Sequence, residues 1–158
     1  MECNRYNCFN ELRQNKATVK CDRQCLKTFD SRKHVSISEN KKKYLLHNAS
    51  ENLLAVFHVD GGMIKSNDIL KCDNLILDVS SMKAIFIELK GTDLAHALEQ
   101  VNATIDLLSG DISGYSKYAR IVTSNRTNVP NIKANPNYVR LHKKADVKVS
   151  ANILEESI

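Results

Sequence analysis

The chain has 158 residues, enough for one domain with a real core and too few for two. An apolar content of 42% and a charged content of 26% are those of a soluble globular protein, which excludes a fibrous or disordered chain. No apolar run approaches the roughly 18 residues of a membrane span, and MECNRYNCFNELRQNK lacks a signal-type hydrophobic region. The expectation is an intracellular protein, cytoplasmic or (in a eukaryotic host) nuclear, whose five cysteines are thiols rather than disulfides.

The net charge of +5 is unevenly spread. Residues 1–48 carry 11 Lys/Arg against 5 Asp/Glu, a balance of +6; residues 49–112 carry 4 against 10, a balance of −6. Residues 113–148 carry 8 against 1, a balance of +7. An acidic middle between basic flanks suits a metal site beside a phosphate-binding surface. Three stretches of solvated surface are the bland alternative.

In chain order, the polar, cysteine-bearing residues 1–33 read as an extension, in which Glu11–Asn15 is at best the end of a short helix. Residues 34–158 read as the domain proper. HVSIS at 34–38 alternates like a short strand, and residues 43–46 form another. LLAVFHV at 53–59 is a buried strand, ended by the turn chemistry of Asp60-Gly61-Gly62. LILDV at 75–79 and AIFIEL at 84–89 are strands joined by a short polar connection. From Asp93 to Leu108 the pattern turns helical, with Leu94, Ala97, Leu98, Val101, Ile105 and Leu108 on one stripe and Gly110 as the stop. YARIVT at 118–123 is a further strand, residues 124–146 are mixed loop and helix, and DVKVSA at 146–151 alternates like an edge strand. Strands, helix, strand and mixed tail describe an α/β sandwich around one mixed sheet.

Residues two apart on a strand share a face, so Glu88 and Lys90 project together. A hairpin turning between Ser80 and Ser81 pairs residues whose numbers sum to 161, which sets Asp73 opposite Glu88. Two like charges so placed repel, and a hard divalent cation relieves the repulsion by taking one or two carboxylates with water and phosphate. Asp78 has odd parity to Asp73 and should face away. An exposed Glu88–Lys90 ion pair with Asp73 in a turn is the plainer reading of the same residues.

The combination is more specific. KCDNLIL, fourteen residues between the acids, IFIELKG and an amphipathic helix carrying Gln100 together resemble the PD-(D/E)XK nuclease superfamily, which includes restriction enzymes and resolvases. The resemblance spans about residues 53–125, with Cys72 where the family often has proline. It implies a restriction endonuclease-like core, a mixed sheet flanked by helices. It also implies that Asp73 and Glu88 bind Mg²⁺ or Mn²⁺, that Lys90 is the site lysine, and that Gln100 or His96 reaches in from the helix. The acid that the family supplies from its first helix has Glu39 as nearest counterpart and Glu51 behind it. Asp60 reads as a turn residue, with metal ligation the alternative.

Basic side chains after the acidic middle, Arg120, Arg126, Lys133, Arg140, Lys143 and Lys144, are the expected backbone holders for DNA or RNA. Cys3, Cys8, Cys21 and Cys25 are within reach of a Zn²⁺ knot, but the usual C-x₂-C spacing is absent, and unligated thiols are the preferred reading. The five histidines, His34, His47, His58, His96 and His142, are expected not to cluster, and His58 within an apolar strand reads as a core residue. An aromatic content of 6% with no Trp argues against a base-stacking platform for single strands. The function expected is metal-dependent hydrolysis of nucleic-acid phosphodiesters, without a membrane and in a homodimer or larger protein complex. The alternative is a catalytically silent module of the same fold that binds nucleic acid or a protein partner, as a phage or defence regulator would.

Overall fold

A computed structural model describes residues 5–14, 21–124 and 131–158. The described residues form a mixed α/β protein with a mostly sheet core, nine strands and three α-helices. The main sheet holds six strands in the order β1 (Leu26–Asp30), β4 (Leu54–His58), β5 (Asn74–Asp78), β6 (Lys83–Leu89), β7 (Ser116–Thr123) and β8 (Asp146–Ala151). Its β1–β4–β5–β6 half is antiparallel, and β7 and β8 are added in parallel. A parallel neighbour needs a crossover. Helix α2 (Leu94–Leu107) connects β6 to β7, and α3 (Pro136–His142) lies between β7 and β8. A second sheet, β2 (His34–Glu39), β3 (Lys42–His47) and β9 (Ile153–Ser157), is separate.

Alternation along the central strands creates two cores. Ala55, Phe57, Leu75, Leu77, Ala84, Phe86, Ala119 and Ile121 face the helices and meet the predicted stripe of α2. Leu54, Val56, Ile76, Ile85, Ile87 and Val122 face the small sheet and meet Val35, Tyr44, Leu46 and Leu154. Both faces are covered, which is why these strands read as continuous apolar runs.

The boundary expected at residue 33 is not a structural one. β1 is the edge strand of the main sheet, and Cys8, Phe9 and Leu12 of α1 (Arg5–Arg13) enter the helix-side core. The Phe9 ring stacks on Phe57 at 5.5 Å. Residues 21–30 and α1 therefore pack with the main sheet and its helix-side core.

Candidate active site

The β5–β6 ladder keeps the predicted register: Asn74 pairs with Ile87, Leu75 with Phe86 and Asp78 with Lys83. Just beyond Asn74, the backbone N–H of Asp73 donates to Glu88 Oε2 at 3.0 Å, and the N–H of Leu89 donates to Asp73 Oδ2 at 2.8 Å. Each acid is thus held by the other's strand. Parity with Leu75 and Phe86 puts both on the helix-side face. Asp78 sits at the far end of β5, fully buried, accepting from Asn52 Nδ2 and the Ser81 N–H, so it braces the hairpin turn.

Glu88 is 2% exposed. Burial, and then the Asp73 charge, push its carboxyl up to about 8, against the opposing Asp73 N–H and Lys90 ammonium. Asp73 is also raised, by burial first and further by the charges of Glu39 and Asp60, with the Leu89 N–H and Lys90 opposing. The shared cause is two acids out of water with one ammonium for compensation. Burial and the Glu88 charge also raise the thiol of Cys72, which stays an uncharged core group.

Helix α2 supplies the rest. Lys90 Nζ donates to Gln100 Oε1 at 3.2 Å, and Gln100 Nε2 donates to the carbonyl of Lys71 at 3.0 Å. One turn on, Thr104 Oγ1 accepts from the Cys72 N–H at 2.8 Å while donating to Gln100 O. Two residues four apart on one helix face therefore clamp the backbone immediately before Asp73. Thr104 went unpredicted because it interrupts an apolar stripe; a polar residue there, one turn from Gln100, was the available signal. Lys71 was also missed: it is 6% exposed, and its ammonium donates to the carbonyls of Ser66 (2.7 Å) and Ile69 (3.2 Å) and pairs with Asp60 at 3.3 Å.

Asp60 is a turn residue, half-exposed, with Gly61 and Gly62 folding the chain back so that the Gly61 N–H reaches Ile64 O. A Cβ on Gly62 would lie 2.3 Å from the Gln24 carbonyl oxygen, so only glycine fits there. Glu39 lies at the exposed end of β2, in a strand rather than a helix, and Glu51 is exposed with φ 54°. The charges of Asp60 and Glu39 both act on Asp73, and the Asp60 backbone N–H also donates to the Asp73 carbonyl at 3.4 Å. His96 lies in the first turn of α2, its backbone N–H capped by Asp93 and its ring 3.7 Å from Glu99; no contact joins it to the acids.

The donor set fits a hard divalent ion. Asp73 and Glu88 present two converging carboxylates in excess over positive charge, the situation such a cation relieves. Among the described residues no group of three or more His, Cys, Asp or Glu side chains is placed to hold a metal, so water and substrate oxygens would complete the shell. Cys8 and Cys25 are buried in the apolar core and Cys21 packs against it; they form no such group, and Cys3 lies outside the described residues.

The expected backbone holders divide. Arg120 is a correction: it is 2% exposed, on the face toward the small sheet, with Nε on Glu156 (2.7 Å) and Nη2 on Asp146 (2.8 Å). Its even parity with Tyr118 and Val122 turns it inward, so it cannot reach a phosphate. Arg140 and Lys144 both pair with Asp106, at 2.5 and 2.6 Å. Lys133 and Lys143 are exposed, and Arg126 lies outside the described residues. No helix among the described residues is long and apolar enough to cross a membrane. Comparison with protein-family models, with curated proteins and with solved structures returns no match.

Proposed function

We propose that this chain is a metal-dependent nuclease of PD-(D/E)XK type, with a restriction endonuclease-like core, hydrolysing phosphodiester bonds of nucleic acid. One observation carries the reading: Asp73 and Glu88 are cross-linked by each other's strands, on the face where Lys90 and Gln100 meet. The order β4–β5–β6–α2–β7, with one acid entering β5 and the other leaving β6, supports it.

Asp73 and Glu88 would hold Mg²⁺ or Mn²⁺, which when bound lowers the pKa of an attacking water and polarises the scissile phosphate. Glu88, pushed up to about 8, gives up its proton to become a ligand, so affinity for the ion rises with pH across neutrality. Gln100 fixes the Lys90 ammonium through one acceptor, leaving its other protons to orient water and to neutralise charge gathering on phosphate oxygen. The Gln100 and Thr104 clamp holds Asp73 in place. Lys133 and Lys143 remain to hold the backbone by charge.

The test is a cleavage screen over single- and double-stranded DNA and RNA with Mg²⁺ or Mn²⁺, comparing wild type with Lys90→Ala and Asp73→Asn. Wild type cuts, and each variant loses cutting while keeping salt-dependent affinity. Wild type that binds but cuts nothing would overturn the enzyme in favour of a silent nuclease-fold module. Wild type that neither cuts nor binds would point to a protein partner.

A further inference from the structure

Outside the acid site, α3 carries a second surface of defined chemistry. Tyr138 and His142 lie four apart, and their rings stack with centroids 5.8 Å apart and an interplanar angle of 10°. Tyr138 is half-buried against the core, while His142 is exposed, so the stack ends on an open imidazole. The rings line a cleft of about 330 Å³ together with Lys133, Val139 and Lys143. Among the described residues, no acid lines that cleft. The neighbouring Asp106 is occupied by Arg140 and Lys144, and Lys133 and Lys143 have no ion-pair partner among the described residues.

We infer that the α3 face seats an unpaired nucleotide: its base extends the Tyr138–His142 stack on the open face of His142, and Lys133 and Lys143 hold its flanking phosphates. The inference rests on the nucleic-acid reading of the previous section and narrows it to substrates with unpaired nucleotides, such as single strands, flaps or bulges. A flat ring flanked by cations matches a π-face with phosphates on either side. An isologous contact with a second copy would bring lysine against lysine, which is repulsive. A paired base offers no free face to the stack, so duplex gains only the charge.

The placement relative to the acids is workable. Asn102 Nδ2 donates to Asn137 O at 3.0 Å, and Asn137 Nδ2 donates to Glu99, the neighbour of Gln100. The acids lie on β5 and β6, and α3 packs toward β8 beyond α2. Arg140 and Lys144, on either side of His142, pair with Asp106, six residues or about 9 Å of helix beyond Gln100, so the seat lies past α2 and offset along it, a gap that an unpaired stretch of several nucleotides would bridge. The low aromatic content of the whole chain does not prevent a local stack, because one helical turn is enough to assemble it.

The experiment is fluorescence anisotropy with a labelled oligothymidylate and with a blunt duplex carrying the same number of phosphates. His142→Ala should weaken the oligothymidylate by at least about fivefold, the lower end of one base–aromatic stack, and leave the duplex nearly unchanged. His142→Phe should restore it. Lys133→Glu with Lys143→Glu should weaken both ligands and flatten the salt dependence. Equal losses for the two ligands in His142→Ala, or none in either, would overturn the seat. So would a wild type that does not bind oligothymidylate, or a dimer that His142→Ala dissociates, or an acidic peptide that binds the cleft more tightly than either nucleic acid. Cleavage is not read here, so loss of the catalytic reading with the strand preference intact leaves the seat standing.

Discussion

The sheet buries charge on both of its faces, and the two clusters are built differently. On the face toward the small sheet, Arg120 meets Glu156 and Asp146, its Nη1 donates to the carbonyls of Ala119 and Asp146, and Tyr44 Oη donates to Glu156. Burial alone would raise Glu156, but the Arg120 and Tyr44 hydrogen bonds outweigh it and hold the carboxyl below its ordinary value. On the helix side, Asp73 and Glu88 have one lysine between them and both are raised. The first cluster is neutralised by folding itself and so reads as architecture. The second is left short of positive charge after folding, and it is there that the proposed metal would bind.

The comparison breaks most visibly under Arg120→Ala. Removing the guanidinium strands Glu156 without its partner, and a loss of about 3–5 kcal/mol in urea unfolding is expected. Nucleic-acid affinity of the folded protein should not change, because Arg120 is out of reach of ligand. Asp73→Asn should behave in the opposite way. Cleavage falls by about a hundredfold or more, while stability holds or rises because one of two repelling acids is neutral.

The pH dependence should differ in sign. The folded-state pKa of Glu88 is about 8, above its ordinary 4.5, so between these values the folded protein holds a proton that the unfolded chain has released. Metal-free protein should therefore lose stability as pH rises through that window, with a slope of up to about 1.4 kcal/mol per unit. Glu88→Gln should flatten it. Glu156 is lowered, so its contribution is present above the ordinary carboxyl range and is lost on acidification through the folded value. Thermal melts across pH, wild type against Glu88→Gln, separate the two clusters. The smallest expected effect is Thr104→Val, which leaves the Cys72 N–H without an acceptor at a cost of about 1–3 kcal/mol. It should lower kcat more than it raises KM, with Thr104→Ser restoring both.

How much of this was legible follows from where each partner lies in the chain. The β5–β6 register was readable because LILDV and AIFIEL are apolar on both faces and separated by a short polar turn. The stripe of α2 was readable for the same reason, one periodicity sustained over four turns. β1 and β9 were not, because LKTFD and ILEES are partly exposed and owe their strand form to distant neighbours, β4 in one case and β3 in the other. Arg120 was misassigned for a related reason. Its charge is visible in the sequence, but Glu156 lies 36 residues away on a strand that local pattern does not mark. The acid pair was legible as a pair; the helix clamp that fixes it was not, apart from Gln100.

The most direct test of the contrast is thermal melting near pH 8, where Glu88 ionises, in a Mn²⁺ titration of wild type, Asp73→Asn and Arg120→Ala. The wild-type melting temperature should climb with Mn²⁺, by the equivalent of about 2.7 kcal/mol at a hundred times the dissociation constant. Arg120→Ala should start lower and climb by the same increment, and Asp73→Asn should stay flat. A wild type that does not respond to Mn²⁺, or an Asp73→Asn variant that climbs as far as wild type, would contradict the assignment of the acid pair as the metal site.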